Sequence, residues 1–263
     1  MADRKPHYAA ALEQLYKRYN KREYVHPDPL EFLYRFDDVR DRELAGLVAA
    51  SLAYGNVRQI LKSVDKTLAA MGKSPRRYVE KTPAKTLLSD FSSFKHRFTT
   101  GAEMAALLNN AAAAVKKYGS LHACALEHHA QGGGGRGAAL RGLAAELRPG
   151  APTLIPDPQA SSALKRLNLY FRWMVRSDNV DPGGWDGLPP SALLVPLDTH
   201  MHRIARMLCL TARNPADMKT AVEITSAFAA YAPEDPVKYD FCLTRFGIND
   251  AFDKDALAGC FKR

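Results

Sequence analysis

Between Leu44 and Ala53 every residue is apolar or small: Leu44, Ala45, Gly46, Leu47, Val48, Ala49, Ala50, Ser51, Leu52 and Ala53. A helix of that composition has no polar face to give to water, so it must be buried on most sides. The run therefore predicts a central helix, with the rest of the chain wrapped around it. It stops at Tyr54-Gly55-Asn56, where Gly55 suits the left-handed position after a helix end, and a new helix starts at once with Val57, Ile60, Leu61, Val64, Leu68 and Met71 before Gly72. A tight helix-turn-helix corner is expected from Tyr54 to Arg58.

The chain has 263 residues and is 46% hydrophobic, enough for one large or two small domains with a sizeable core. Before the central run, Tyr8 to Tyr24 carries Leu12, Leu15, Tyr16 and Tyr19 among Lys17, Arg18, Lys21 and Arg22, an amphipathic basic helix. A short helix over Leu30 to Arg35 follows. After a loop at Lys73 to Arg77, helical spacing returns at Ala102 to Lys117, Leu121 to Ala130 and Ala138 to Leu147. Further helices are expected from Asp217 to Tyr231 and from Pro236 to Gly247. Gln131 to Gly137 reads as a flexible linker and Arg148 to Pro158 as a stiffer one. The glycine run has neither a preceding strand nor a following lysine-serine/threonine pair, so it is no phosphate cradle. Sustained alternation of period two is absent, and the fold class is all-α.

Lysine and arginine total 37 against 28 acids, a net charge of +9, which suits a polyanionic partner with nucleic acid foremost. Cys124, Cys209, Cys242 and Cys260 are scattered singly, a spacing that argues against a zinc or iron-sulfur site and for free thiols in a reduced, cytoplasmic setting. No cofactor and no metal are expected. A secretory leader and a membrane-spanning run are not expected either.

The stretch from Ser161 to Leu210 holds the residues best suited to chemistry. Leu164, Leu167, Phe171 and Met174 define the buried face of a helix, and Lys165, Asn168, Arg172 and Arg176 fall on a second, basic stripe. Asp181 to Pro190 is rich in turn formers and can fold the chain back. Asp198 precedes a helix faced by Met201, Ile204, Ala205 and Leu208, the place of an N-cap. From pattern alone, Lys165 also reads as a solvated lysine beside a helix start and Asp198 as a cap and nothing more. His200 and His202 lie two apart on a helix, point to different sides and cannot share one ion.

Phe91 to Gly101 alternates aromatics with cations, including Phe94, His96 and Arg97. Such interleaving can stack bases and hold phosphates. Its simpler reading is a loop whose aromatics plug the core.

The run Pro196-Leu197-Asp198-Thr199-His200-Met201-His202-Arg203 resembles the V-D-T-H-x-x-R signature of the helix-hairpin-helix DNA glycosylase superfamily, to which endonuclease III belongs. Glu43 to Gly55 is similar to the buried helix that precedes a DNA-inserting loop in those enzymes. Over nearly its full length, the chain resembles an uncharacterised bacterial family of glycosylase-like proteins known as a domain of unknown function. The superfamily's L-P-G-V-G-x-K hairpin and its iron-sulfur cysteines have no copy here. Lys165 with Arg172-Trp173-Met174 is instead similar to the archaeal 8-oxoguanine DNA glycosylase branch, whose catalytic lysine lies far upstream of the aspartate.

The resemblance implies two helical lobes with a DNA-binding cleft between them. The chain would be one glycosylase-like unit over 1–263, with one lobe near 1–45 plus 196–263, the other near 46–195, and a flexible linker at 131–160. It implies a monomer near the nucleoid that acts on double-stranded DNA carrying a damaged base. Lys165 would be the nucleophile of a base-excision glycosylase with AP-lyase activity, attacking the deoxyribose C1′ to form a Schiff base. Its amine must be neutral to attack, which desolvation and the cationic neighbours Arg166 and Arg172 are expected to favour. Asp198 would stabilise the oxocarbenium-like charge. Trp173, Trp185 and Phe94 would be walls for an everted base, and Tyr54, Asn56, Arg58, His96, Arg97, Arg172, His200 and Arg203 would line the pocket or hold DNA. The alternatives are a non-catalytic nucleic-acid-binding protein on the same helical fold and a protein-interaction module.

Overall fold

A computed structural model of the chain describes residues 5–248 together with 257, 259 and 261. Cys260 lies outside the described residues. The architecture is almost entirely helical, with α1 (Lys5–Tyr19), α2 (Val39–Ser51), α3 (Val57–Met71), α4 (Pro75–Lys81) and α5 (Ala84–Asp90) in the first part of the chain. After a two-stranded hairpin, β1 (Lys95–His96) and β2 (Thr99–Thr100), come α6 (Gly101–Tyr118), α7 (Leu121–Gln131) and α8 (Ala138–Leu147). They are followed by α9 (Lys165–Val175), α10 (Thr199–Met207), α11 (Met218–Ala229) and α12 (Asp240–Ile248).

The apolar run is the core of the molecule, as its composition requires: every residue of α2 from Glu43 to Ser51 is buried. It packs against the 3-10 segment Pro29–Arg35 and against α3, α4 and α9. Gly46 permits the closest of these approaches, since a Cβ there would lie 3.2 Å from both Leu33 Cδ2 and Tyr170 Cε2. Short polar side chains start many of the helices by accepting free backbone N–H groups. Asp38 does so for α2, Asn56 for α3, Ser74 for α4, Ser120 for α7 and Asp217 for α11, and Thr100 and Glu103 form a reciprocal box on α6.

Several expectations need correction. The first helix ends at Tyr19, and Arg22–Tyr24 is a separate 3-10 turn. α2 ends at Ser51, so Gly55, with φ +98°, shapes the following loop and not the helix end itself. Pro75 to Lys81 is helical, not a loop, because Ser74 caps it and proline fits the first helical turn. Within the span 131–160 read as linker, Ala151, Leu154 and Ile155 are fully buried, and Thr153 N donates to Glu103 Oε1 at 3.1 Å. That segment is part of the core, because its apolar residues sit between prolines and glycines that hide their pattern.

Glu43 brings a carboxylate from α2 into the core. Its carboxylate, fully buried, accepts from Leu121 N at 3.2 Å, His122 N at 3.1 Å and the Trp185 indole Nε1 at 3.2 Å. It thus caps α7 from another helix and ties in the turn that follows α9. Its backbone oxygen accepts from the Tyr170 hydroxyl at 2.9 Å. Burial pushes its carboxyl above the ordinary range, against the pull of the three donors. Glu43→Ala leaves those donors buried without an acceptor and is expected to destabilise the fold by roughly 3 kcal/mol or more, with Glu43→Gln intermediate. Equilibrium urea unfolding of the two variants checks this order.

Candidate functional site

α9 begins immediately after Leu164, whose backbone is left-handed at φ +48° and whose side chain is 1% exposed. The conformation costs a non-glycine residue on the order of 1 kcal/mol, and core packing of the leucine holds it in place. Lys165 is therefore the first residue of the helix. Asp198 sits at the N-cap of α10, where Oδ1 accepts from His200 N and Met201 N, both at 2.9 Å. Its other oxygen, Oδ2, lies 3.4 Å from Lys165 Nζ. One oxygen fixes the helix and the other faces the amine. The two side chains are partly exposed, at 35% for Lys165 and 16% for Asp198.

Both line an open pocket of about 130 Å³. Its other walls include Ala53 and Val57 from the two sides of the α2–α3 corner, Asp28 from the cap of the 3-10 segment Pro29–Arg35, Arg172, and Asp240 and Arg245 from α12. Oppositely charged groups are paired throughout. Arg245 donates to Asp28 Oδ2 at 2.9 Å, and Arg172 is bound to Asp240 Oδ2 on one side and, at 3.1 Å, to Asp181 Oδ1 on the other. Arg176, one turn on, holds Asp181, Asp178 and Asp235.

Asp240 is 2% exposed, and its Oδ1 has no hydrogen-bond partner among the described residues. Burial pushes its carboxyl up to about 6. The Arg172 guanidinium opposes that rise, and the Asp198 carboxylate adds to it. The folded value exceeds that of an unfolded aspartate, so the folded chain binds the extra proton and this group's stabilisation is lost as pH rises through about 6. Asp240→Asn is expected to make the slope of melting temperature against pH more positive between about pH 4 and pH 6 than in the parent protein. Parallel thermal melts across that window check it, and identical pH slopes for the two proteins would exclude the effect.

The basic stripe expected along α9 exists in sequence but does not face solvent. Asn168, Arg172 and Arg176 are 2–4% exposed. Of the acids that neutralise the arginines, Asp235 and Asp240 lie on distant segments, which residue spacing on one helix cannot disclose, while Asp178 and Asp181 lie in the turn just after it. Arg166 is likewise engaged elsewhere, donating to Ser51 O at 2.7 Å and Thr153 O at 2.8 Å. Neither guanidinium leaves Lys165 as its main partner.

The expected aromatic walls also need correction. Trp173 is fully buried. Trp185 is buried as well, bonded to Glu43 and stacked on His122. Phe94 is 7% exposed and packs edge-on to Phe91. None of the three lines the pocket of Lys165 and Asp198. Large aromatics contribute most when buried, and the core took them.

His96 is buried too, with Nδ1 on Ser63 Oγ at 2.9 Å and Nε2 on Tyr54 O at 3.1 Å, and burial holds its pKa below the ordinary histidine value. Tyr54 is half-buried beneath it, and Asn56 caps α3. His200 packs against Gly247, where an added Cβ would lie 2.6 Å from its Nδ1. Arg58, Arg97 and Arg203 are exposed.

Asp28, Asp240 and Arg245 were not singled out by sequence. Asp240 starts α12, and only the fold brings it to the pocket of Asp198. Among the described residues, no three histidine, cysteine, aspartate or glutamate side chains gather in a way that could hold a metal ion. No described helix is long and apolar enough to cross a membrane.

The fold and pocket define a helical protein with a lysine–carboxylate pair at an open cleft. The family model described as "Protein of unknown function (DUF2400)" matches residues 28–249, and the chain belongs to that family. The match spans Lys165, Asp198 and all the pocket residues except Pro27. No curated protein and no solved structure matches the chain.

Proposed function

We propose that the chain is a DNA base-excision glycosylase with AP-lyase activity. The observation that carries this reading is the Lys165 amine 3.4 Å from an Asp198 oxygen in a pocket open to solvent. The net charge of +9 supports a polyanionic substrate. Resemblance to the archaeal 8-oxoguanine branch favours an oxidised purine as the base removed. In this reading the chain is one glycosylase-like unit, with DNA lying in a cleft between two lobes.

The reaction needs an amine without its proton, and Asp198 Oδ2 lies at ion-pair distance to take it. The neutral Lys165 nitrogen then attacks C1′ of the damaged nucleotide. A C–N bond to lysine forms as the glycosidic bond breaks, and the base leaves with the bonding electrons and the proton that Asp198 took from the lysine. The carboxylate so restored stabilises the positive charge that develops on the sugar. Opening of the sugar ring gives the Schiff base, from which β-elimination cleaves the strand.

The experiment is to incubate the protein with duplex DNA carrying one 8-oxoguanine, add borohydride, and compare it with Lys165→Ala and Asp198→Asn. Reduction traps only a Schiff base. The parent protein is expected to form a covalent adduct and Lys165→Ala none. Asparagine caps a helix about as well as aspartate, so α10 survives in Asp198→Asn. A rate loss there of roughly 10²-fold or more would therefore report chemistry and not unfolding. Tight DNA binding with neither adduct nor base release would sink the 8-oxoguanine lyase reading. A non-catalytic nucleic-acid-binding protein is the second reading, favoured by one observation: the exposed cations Arg58, Lys95 and Arg97 lie outside the pocket of Lys165 and Asp198.

A further inference from the structure

The hairpin of β1 and β2 presents a feature that its sequence position does not reveal. Of the three phenylalanines in this stretch, Phe91 and Phe94 are buried, and Phe98 is 74% exposed. The register Lys95 to Thr100 and His96 to Thr99 leaves a two-residue loop, Arg97-Phe98, at the tip. Arg97 has φ +51°, a region in which hairpin loops favour glycine, asparagine or aspartate. The Arg97 guanidinium lies 5.5 Å from the Phe98 ring centre, a contact within the loop that leaves most of the ring open to solvent. Backbone strain like that at Arg97 persists where surrounding structure holds it, and it concentrates at sites of function.

The surrounding structure does hold it. The Tyr54 hydroxyl bonds to His96 O at 2.8 Å and to Thr99 Oγ1 at 2.7 Å, and Thr99 Oγ1 reaches Thr153 Oγ1 at 2.7 Å. His96 is anchored on Ser63. Arg166, the neighbour of Lys165, lies over the Tyr54 ring at 4.8 Å. The Arg97 side chain rests on Gly55, where an added Cβ would lie 2.6 Å from its Cδ. Gly55 sits between the pocket-lining residues Ala53 and Val57. The hairpin tip is thus bolted to the corner that walls the Lys165–Asp198 pocket. Lys95, Arg97 and Arg58 are exposed around it, in a chain of net charge +9.

We infer that Phe98 is a wedge that inserts into the base stack of duplex DNA beside the pocket, occupying the gap left by a nucleotide that has swung out, while the surrounding cations hold the phosphates. Phenylalanine unstacks base steps in this way in proteins that deform DNA, and its ring compensates lost stacking without reading sequence. The neighbouring cations match a phosphate backbone and not an apolar protein surface. The inference rests on the glycosylase reading for its purpose, since extruding a base is what makes a wedge useful.

The test measures binding of the full-length chain to two fluorescent duplexes, one intact and one with a tetrahydrofuran abasic analogue. The parent protein is expected to prefer the gapped duplex. Phe98→Ala should lose about tenfold or more of its affinity for that duplex, with little change for the intact one. Phe98→Trp should restore the preference. The slope of affinity against salt should stay the same in all three, because no charge is altered. Phe98 is exposed, so the variants should melt as the parent does, which separates the effect from misfolding. Equal affinities of the parent protein and Phe98→Ala for the gapped duplex would overturn the wedge, even if borohydride trapping succeeds. A Phe98-dependent preference without any trapped adduct would sustain the wedge and count against the lyase. A parent protein that binds neither duplex would overturn both.

Discussion

Two buried arginines, Arg172 on α9 and Arg176 at its end, join the helix to the turn that follows it, to the start of α12 and to the segment before α12. Between them they bind Asp181 in the turn after α9, Asp240 at the start of α12, and Asp178 and Asp235. Charges so deeply buried are tolerated only when fully paired, and removing one member of such a group costs on the order of 3–5 kcal/mol. The network is therefore rigid in composition. It fixes α9 along its length and thereby the position of Lys165 at its start. Tyr16 adds a thread from α1 by donating to Asp178 at 3.0 Å.

The pocket is assembled from segments far apart in the chain, each held by a different device. Close packing at Gly46 brings α2 against α9. Backbone amides hold Asp198 through its own helix start, and an ion pair to Asp28 holds Arg245. The lysine–carboxylate pair thus stands on elements fixed by packing, capping and buried charge, a mixture that keeps one weak tie from loosening the whole site.

Helices with a local signal could be read from the sequence. The bounds of α8 and the burial of α2 follow from periodicity and composition, and the cap at Asp198 follows from residue type before an apolar repeat. What escaped were relations across distance. Arg172 and Arg176 look like a surface stripe until Asp181, Asp235 and Asp240 are brought to them. Trp173 and Trp185 look available until the core is seen to need them, one of them for Glu43. The stretch around Phe98 shows the limit most plainly. Three phenylalanines at similar spacing go to opposite sides, because the two-residue turn at Arg97-Phe98 leaves no signature of the glycine-rich kind.

The start of α9 carries a cost of a different sort. Its first turn contains Lys165 and Arg166 and no acid, yet the exposed amides there form the positive end of the helix dipole. Cations at that end are disfavoured by about 0.3–1 kcal/mol each when near the surface, where an acid or a serine would be favoured. The ion pair from Lys165 to Asp198, at 3.4 Å, works against that cost. A screen of variants that rewarded heat resistance alone would weigh the helix dipole against that one pair at position 165.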